Sequence, residues 1–435
     1  MAHIHVPDRI PVRYLARSRG ANLIFAAMAL VGAGAFVVQL GRDESAAWAS
    51  YVSNWLFFTS VAMGAVMFAA STTIVKARWN WSLRRISVAF AAFLPIAFIL
   101  LVPMLLGLRE NYFPWIAEMA HDPILQKKAA YLNVPFLVTR NIVGPLLLFG
   151  LGLYFTYLAV RPDMGLLDED QMDAGRASWR ERLMGAWMGQ ETEEVRSSQR
   201  MSRLAPALAL AYAAVMSFMV YDWAMTLEPH WFSTLFGGWF FMGAFWGGIA
   251  ATAFAAVWLR GRDPEIARAV GLQQRHDLGK LAFAFTVFWA YLFWSQYIVI
   301  WYGKLPWEQA WVLHRSGPEW GAYSAMVVVL CFIVPFAGLL GRKPKLRPGL
   351  LQFFSGVILF GLWSERYMLV APSILPEYDP IAETFQLLIG VGFLGLFLGS
   401  VRWFLSTFPI LQIWQPLQQP EMLEAERPGI PVAGD

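Results

Sequence analysis

Ten stretches of about twenty apolar residues, each bounded by polar or charged connectors, constrain this chain more than any motif does. They run over 21–40, 54–75, 86–106, 135–160, 204–225, 235–258, 281–301, 322–340, 350–370 and 384–405. A helix of about 20 residues crosses the hydrocarbon core of a bilayer, and every backbone group there must be satisfied internally. Composition agrees, since 57% of the 435 residues are hydrophobic and 15% are charged, against about 25% charged in soluble domains. An all-α polytopic membrane protein of ten transmembrane helices is expected. Pro7, Pro11 and four arginines precede the first stretch without a small-residue cleavage site after it, so no signal peptide is expected there.

Lysine and arginine set the orientation. The two tails and the even-numbered connectors (2–3, 4–5, 6–7, 8–9) carry 25 of them, and the opposite connectors carry 6. Both termini are therefore expected in the cytoplasm. The net charge of +4 reflects that topology. The partner it implies is the lipid bilayer, not nucleic acid. Residues 161–203 are charged and partly amphipathic through Trp179, Leu183 and Trp187, and should lie along the cytoplasmic surface. The segment after Pro409 reads as a poorly packed tail or as a docking strand for a partner.

An internal repeat is visible in the span exits. Span 5 ends Tyr221-Asp222-Trp223-Ala224-Met225 with Pro229 following, and span 9 ends Ser364-Glu365-Arg366-Tyr367-Met368 with Pro372 following. In both, the acid precedes Met by three residues and Pro by seven. An offset of four spans preserves orientation, so two parallel four-helix bundles are expected, spans 2–5 and 6–9, with spans 1 and 10 at the periphery. The expected divisions are a tail at 1–20, span 1 and its loop at 21–47, a first bundle at 48–225, a second at 226–371, a loop with span 10 at 372–408, and a tail at 409–435.

Paired mid-span histidines, which haem b would need, are absent from the sequence: His3, His5, His121, His230, His276 and His314 fall in tails, loops or helix ends. Cys331 alone supports neither an iron–sulfur cluster nor an internal disulfide. No metal or cofactor is expected in this chain. Charges inside spans cost about 2.5–3.5 kcal/mol each on insertion scales, so those present need a reason. Arg140 lies roughly 8 Å into span 4, Asp222 roughly 5 Å from the end of span 5, and Glu365 and Arg366 about as deep as Arg140 in span 9. One reading is a polar pocket or proton conduit open to the outer side; the other is an ion-pair clamp between helices. Arg140 should pair with Asp222 or Glu365. Glu365 and Arg366, about 100° apart on the helix, should face different partners. Span 7 adds Thr286, Tyr291, Ser295, Gln296 and Tyr297 above His276, Asp277 and Lys280. These form either a proton relay or ordinary interhelical contacts, with His276 and Asp277 marking a helix start. The aromatic runs Trp239-Phe240-Phe241 and Trp289 to Trp294 read as packing, as an interface belt, or as a slot for a quinone ring.

Several runs together resemble one family. They are Asn133-Val134-Pro135-Phe136-Leu137 to Arg140; Asp222-Trp223-Ala224-Met225 with Pro229-His230-Trp231-Phe232-Ser233-Thr234-Leu235-Phe236-Gly237; His276-Asp277-Leu278-Gly279-Lys280; Phe288 to Tyr297; Ile300-Trp301-Tyr302-Gly303; and Glu365-Arg366-Tyr367. The chain resembles the polysulfide-reductase-like (NrfD/PsrC-type) membrane subunits over about residues 20–405, and within them the shorter such subunits of bacterial alternative complex III. The resemblance implies ten helices in two four-helix bundles, and a respiratory or photosynthetic complex that oxidises membrane quinol. Its implied partners are a sister membrane subunit, an iron–sulfur subunit, c-type cytochromes and small membrane subunits. Iron–sulfur clusters and c-type haems would reside in those partners, and quinol would be the substrate.

One departure bears on the role. Quinol-handling members of the family carry a histidine early in span 2 and a His-Leu-Gly-Arg-Pro-like run at the exit of span 3. Here those positions read Met63 and Leu106-Gly107-Leu108-Arg109-Glu110. A thioether accepts no quinol proton, so this chain is expected to lack a quinol site and to serve as an anchor, with or without a proton path; the alternative is a quinol-binding subunit of the NrfD/PsrC type. A stand-alone transporter is disfavoured, because the spans lack paired Gly/Pro breaks around a midplane site.

Overall fold

A computed structural model describes residues 6–415, except 8, 108–111, 170–171 and 376. Ten helices long and apolar enough to cross a membrane run over Arg19–Arg42, Glu44–Ile74, Arg84–Leu106, Val134–Leu166, Gln190–Leu227, Thr234–Arg260, Leu272–Gly303, Gly321–Leu339, Pro348–Ile374 and Pro380–Thr407. They are spans 1 to 10, and the chain is an all-α, multi-pass membrane protein. Each covers its expected stretch to within one residue. Local chemistry sets the boundaries. Asp43 breaks span 1 in an extended conformation and caps span 2 by accepting the Ala46 N–H at 3.0 Å, while Asn133 does the same for span 4 through Phe136.

The spans differ sharply in what surrounds them. Span 2 is 83% buried over its apolar window and span 6 is 72% buried, whereas span 1 is 17% buried. Hydrophobicity does not drive helices together in lipid, so small residues that permit close approach decide which helix lies inside. Spans 2 and 6 cross at Gly64 and Gly248: a Cβ on Gly64 would sit 2.0 Å from the Ala244 carbonyl oxygen, and one on Gly248 2.1 Å from the Gly64 carbonyl carbon. Spans 1 and 10 meet likewise at Gly32 and Gly392.

Spans 2–5 close one ring of contacts and spans 6–9 a second, with span 2 on 6, span 2 on 9, and span 5 on 6. Exchanging 2 with 6 and 5 with 9 reproduces that set, as a parallel two-fold repeat requires. Spans 1 and 10 pair outside, against span 2. The segments before span 1 and after span 10 share one face among the described residues, here the terminal face: the Leu15 N–H donates to the Leu405 carbonyl, and the Ile410 N–H to the Arg13 carbonyl. The opposite side is the distal face.

Two expectations change, and two spans depart from regular α-helix. The segment 161–203 is not all surface-lying, because its last fourteen residues, from Gln190, extend the helix of span 5; that stretch has no proline to stop it before Pro206. Trp179 does pack along the terminal face, edge-on to Trp403. The tail after Pro409 packs on its own chain: Ile410, Leu411 and Trp414 are buried, and residues 416–435 lie outside the described set. Finally, spans 3 and 8 are not uniform α-helices. A 3-10 turn at Phe90–Phe93 precedes Pro95, and a π turn at Val329–Ile333 precedes Pro335. Proline removes a helix donor and crowds the preceding turn, yet neither helix unwinds.

Candidate functional site

The charged residues form two separate pairs, one in each bundle. In the first, the Arg140 guanidinium grips Asp222 across spans 4 and 5, donating from Nε to Oδ2 at 3.2 Å and from Nη2 to Oδ1 at 2.8 Å. Tyr131 Oη donates to Oδ1 at 2.9 Å and Asn141 Nδ2 to Oδ2 at 2.7 Å. Trp223 Nε1 in turn donates to Asn141 Oδ1, and Tyr112 Oη to the Trp223 carbonyl. Arg140 stacks over Tyr131 and Phe136 at 3.9 and 4.2 Å. Both carboxylate oxygens therefore hold two donors each, a saturated arrangement. Tyr131, in the connector between spans 3 and 4, has its phenol pushed up by burial and by the Asp222 carboxylate.

The second pair corrects the expectation for span 9. Glu365 and Arg366 do not face different partners: Arg366 Nη1 curls back onto Glu365 Oε2. The 100° offset fixes where the Cβ atoms point, but arginine is long enough to return. Trp289 Nε1 of span 7 donates to Glu365 Oε1 at 2.8 Å, and Arg366 Nη2 reaches the Phe240 carbonyl of span 6 at 3.3 Å. Arg366 Nε has no partner among the described residues. Glu365, fully buried, thus carries half the donors that Asp222 does.

Trp289 also lines a cavity of about 130 Å³ on the distal side, together with Trp239, Phe293, Gln296, Tyr297 and Arg315. It has room for several waters but is smaller than the roughly 300–1,000 Å³ of ligand pockets. At the mouth lies a group that sequence reasoning missed. Arg315, on a short helix over Pro306–Ser316, donates to Glu228 Oε1 at 2.9 Å, to Ser373 Oγ at 2.7 Å and to the Leu369 carbonyl at 2.9 Å. His314 Nδ1 is 3.5 Å from Glu228 Oε1. Burial alone would raise the Glu228 carboxyl; Arg315 and Ser373 outweigh it and hold it below its usual range. Burial pushes Arg315 down to about 10, so both stay charged at neutral pH.

The span 7 residues do not form one polar line. Thr286 bonds its own helix at the Ala282 carbonyl. Gln296 faces inward, 3.3 Å from Ser233 Oγ. Tyr291 points out of the protein, stacked on Phe288, and Tyr297 stacks on Trp294 with Ser295 half-buried beside it. Successive residues turn by about 100°, which scatters these positions around the helix. His276 lies in the second turn of span 7, and Asp277 pairs with Lys280 at 2.7 Å. Met63 is fully buried, its methyl against Gly152 of span 4. Of the span 3 exit, residues 108–111 lie outside the described set.

A further buried pair closes the terminal face. Arg85 Nη2 meets Asp163 Oδ2 at 2.5 Å, and Asp163 Oδ1 accepts the backbone N–H groups of Ile413 and Trp414 at 3.0 and 2.9 Å.

No family model and no curated protein matches this chain.

Proposed function

We propose that this chain is a non-haem membrane subunit of a quinol-oxidising alternative complex III, anchoring the complex and contributing a proton path through its second bundle. The terminal face is cytoplasmic on this reading, and the membrane is the bacterial inner membrane. The resemblance of the span exits supports the family; the lysine and arginine bias supports the orientation. The observation that carries the proton path is the Glu365 carboxylate. It is buried mid-bundle with spare acceptor capacity, and one residue, Trp289, separates it from a water-sized cavity that reaches the Glu228–Arg315 group. An intramembrane carboxylate facing a bundle interior is the usual carrier in such relays. Met63 supports leaving quinol oxidation to other subunits of the complex.

The test begins with purification of the tagged chain from its native membrane in mild detergent. Co-purifying c-type haem and a large iron–sulfur protein are expected; a chain that emerges alone and colourless refutes the assignment and revives a transporter. Within the assembled complex, Glu365→Gln should lower protons moved per electron without loss of assembly. Unchanged pumping removes the conduit and leaves a structural anchor, the reading that the saturated Asp222 clamp already favours for the first bundle.

A further inference from the structure

An apolar cleft away from the sites above plays no part in them. It measures about 580 Å³ between spans 2, 6, 9 and 10, inside the roughly 300–1,000 Å³ range of small-molecule sites. Its wall on span 10 runs from Leu387 to Leu405, about 27 Å at 1.5 Å per residue, most of the hydrocarbon thickness. Phe254, Phe360, Leu387 and Leu398 at its rim are exposed, so in a membrane it opens sideways to lipid. Spread over that length, the volume gives a slot the width of a hydrocarbon chain, narrower than the 10–12 Å of another helix, about the diameter with side chains.

The slot is apolar except at its terminal-face end. There Arg402 lines it and donates to the Ala16 carbonyl at 2.6 Å. Trp258 lines it too, beneath the Arg262 guanidinium at 3.5 Å. Neither arginine pairs with a carboxylate among the described residues. The acid beside Arg262, Asp263, is taken by Arg13 at 3.3 Å and by the N–H groups of Glu265 and Ile266. An unpaired guanidinium at headgroup depth attracts phosphate.

We propose that this cleft holds a phospholipid, with one acyl chain in the slot and an anionic headgroup on Arg402 and Arg262. The apolar length selects a chain; the two unpaired cations at one end select the charge of the head. The inference is independent of any role in electron transfer.

Native mass spectrometry of the full chain tests it. Delipidated protein offered equal phosphatidylglycerol and phosphatidylcholine should retain the first at least fivefold over the second. Arg262→Gln with Arg402→Gln should abolish the preference while keeping chain binding. A Cβ on Gly356 would meet only Phe254, at 3.6 and 3.9 Å, so Gly356→Phe should fill the slot and displace the lipid; Leu394→Trp, from the facing wall, serves if that variant does not fold. Equal retention of both lipids, lipid binding unchanged in a folded slot-filling variant, a retained isoprenoid quinone, or a partner helix seated in the cleft of the native complex each overturns it.

Discussion

Replacing Asp222 by Asn isolates what the Arg140 clamp contributes. The side chain keeps its shape but loses its charge, and Arg140, with 9% of its side chain exposed, is left facing Tyr131, Phe136 and one carbonyl. Removing one member of a buried pair costs about 3–5 kcal/mol, because the remaining charge is uncompensated. The two rings already stack on Arg140 in the native protein and so offset nothing new, and a loss near the lower end of that range, about 3 kcal/mol, is expected because the introduced amide keeps one acceptor oxygen. Arg140→Gln should cost less, since Asp222 retains the donors Tyr131 and Asn141. The double variant removes both charges and should be no worse than Asp222→Asn alone. That gives a coupling of about 2 kcal/mol, well above the roughly 0.6 kcal/mol average of neutral interhelical hydrogen bonds in membranes. Reversible unfolding of the four proteins in mixed detergent and dodecyl sulfate micelles, followed by tryptophan fluorescence, measures it. A coupling at or below about 0.6 kcal/mol refutes the clamp.

Gly64→Val should prevent folding of the chain, since its Cβ would strike the Ala244 carbonyl, while Gly150→Ala, with nothing within 4 Å, should be neutral; monodisperse yield by size exclusion separates them. Glu228 is held below its ordinary carboxyl value, so its contribution to stability is complete above about pH 4.3, the unfolded value, and is lost as pH falls through the lower folded value. A thermal-stability profile from pH 7 to pH 3 should fall at its acid end, and Glu228→Gln should flatten that fall; an equal fall in both argues against the Arg315 pair. Trp414 is buried and donates from Nε1 to the Ala159 carbonyl at 2.9 Å, so Trp414→Ala should release the segment that Asp163 holds. Faster proteolysis near the C-terminus is the expected readout, and an unchanged rate counts against the latch.

The spans were legible because hydropathy is a local property: twenty apolar residues announce a helix whatever lies around them. Arg140 and Asp222 were legible for a related reason, since a charge inside a span demands a partner. Asn141 was available as a sign and went unused, though a polar amide beside Arg140 inside an apolar run points to the same carboxylate. The Arg315–Glu228 group was hidden because Arg315 counted only as a connector cation and Glu228 carried no pattern of its own. Reading 306–316 as a helix opened by Pro306, with Trp311 and Arg315 one turn apart, would have exposed it; the two sit stacked at 4.0 Å. What no local pattern encodes is the return of Arg366 onto its own neighbour, or the docking of Ile413 and Trp414 on Asp163. Both depend on which space the other helices leave free.

The two halves of the repeat place an acid at the same point relative to Met and Pro, and the surroundings have diverged. Asp222 receives four hydrogen bonds, two of them from a guanidinium. Protonating it would discard charge-assisted bonds and strand Arg140, so its role is fixed by its partners. Glu365 receives one indole N–H and its neighbouring arginine, which leaves lone pairs free, with Trp289 standing between it and a cavity with room for water. A group that changes protonation during turnover must be able to lose one partner and gain another at small cost. Glu365 has two donors to give up where Asp222 has four, and its neutralisation requires Arg366 to turn to the Phe240 carbonyl and to water; that smaller rearrangement is why the proposed proton path runs through the second bundle and the first is read as the anchor.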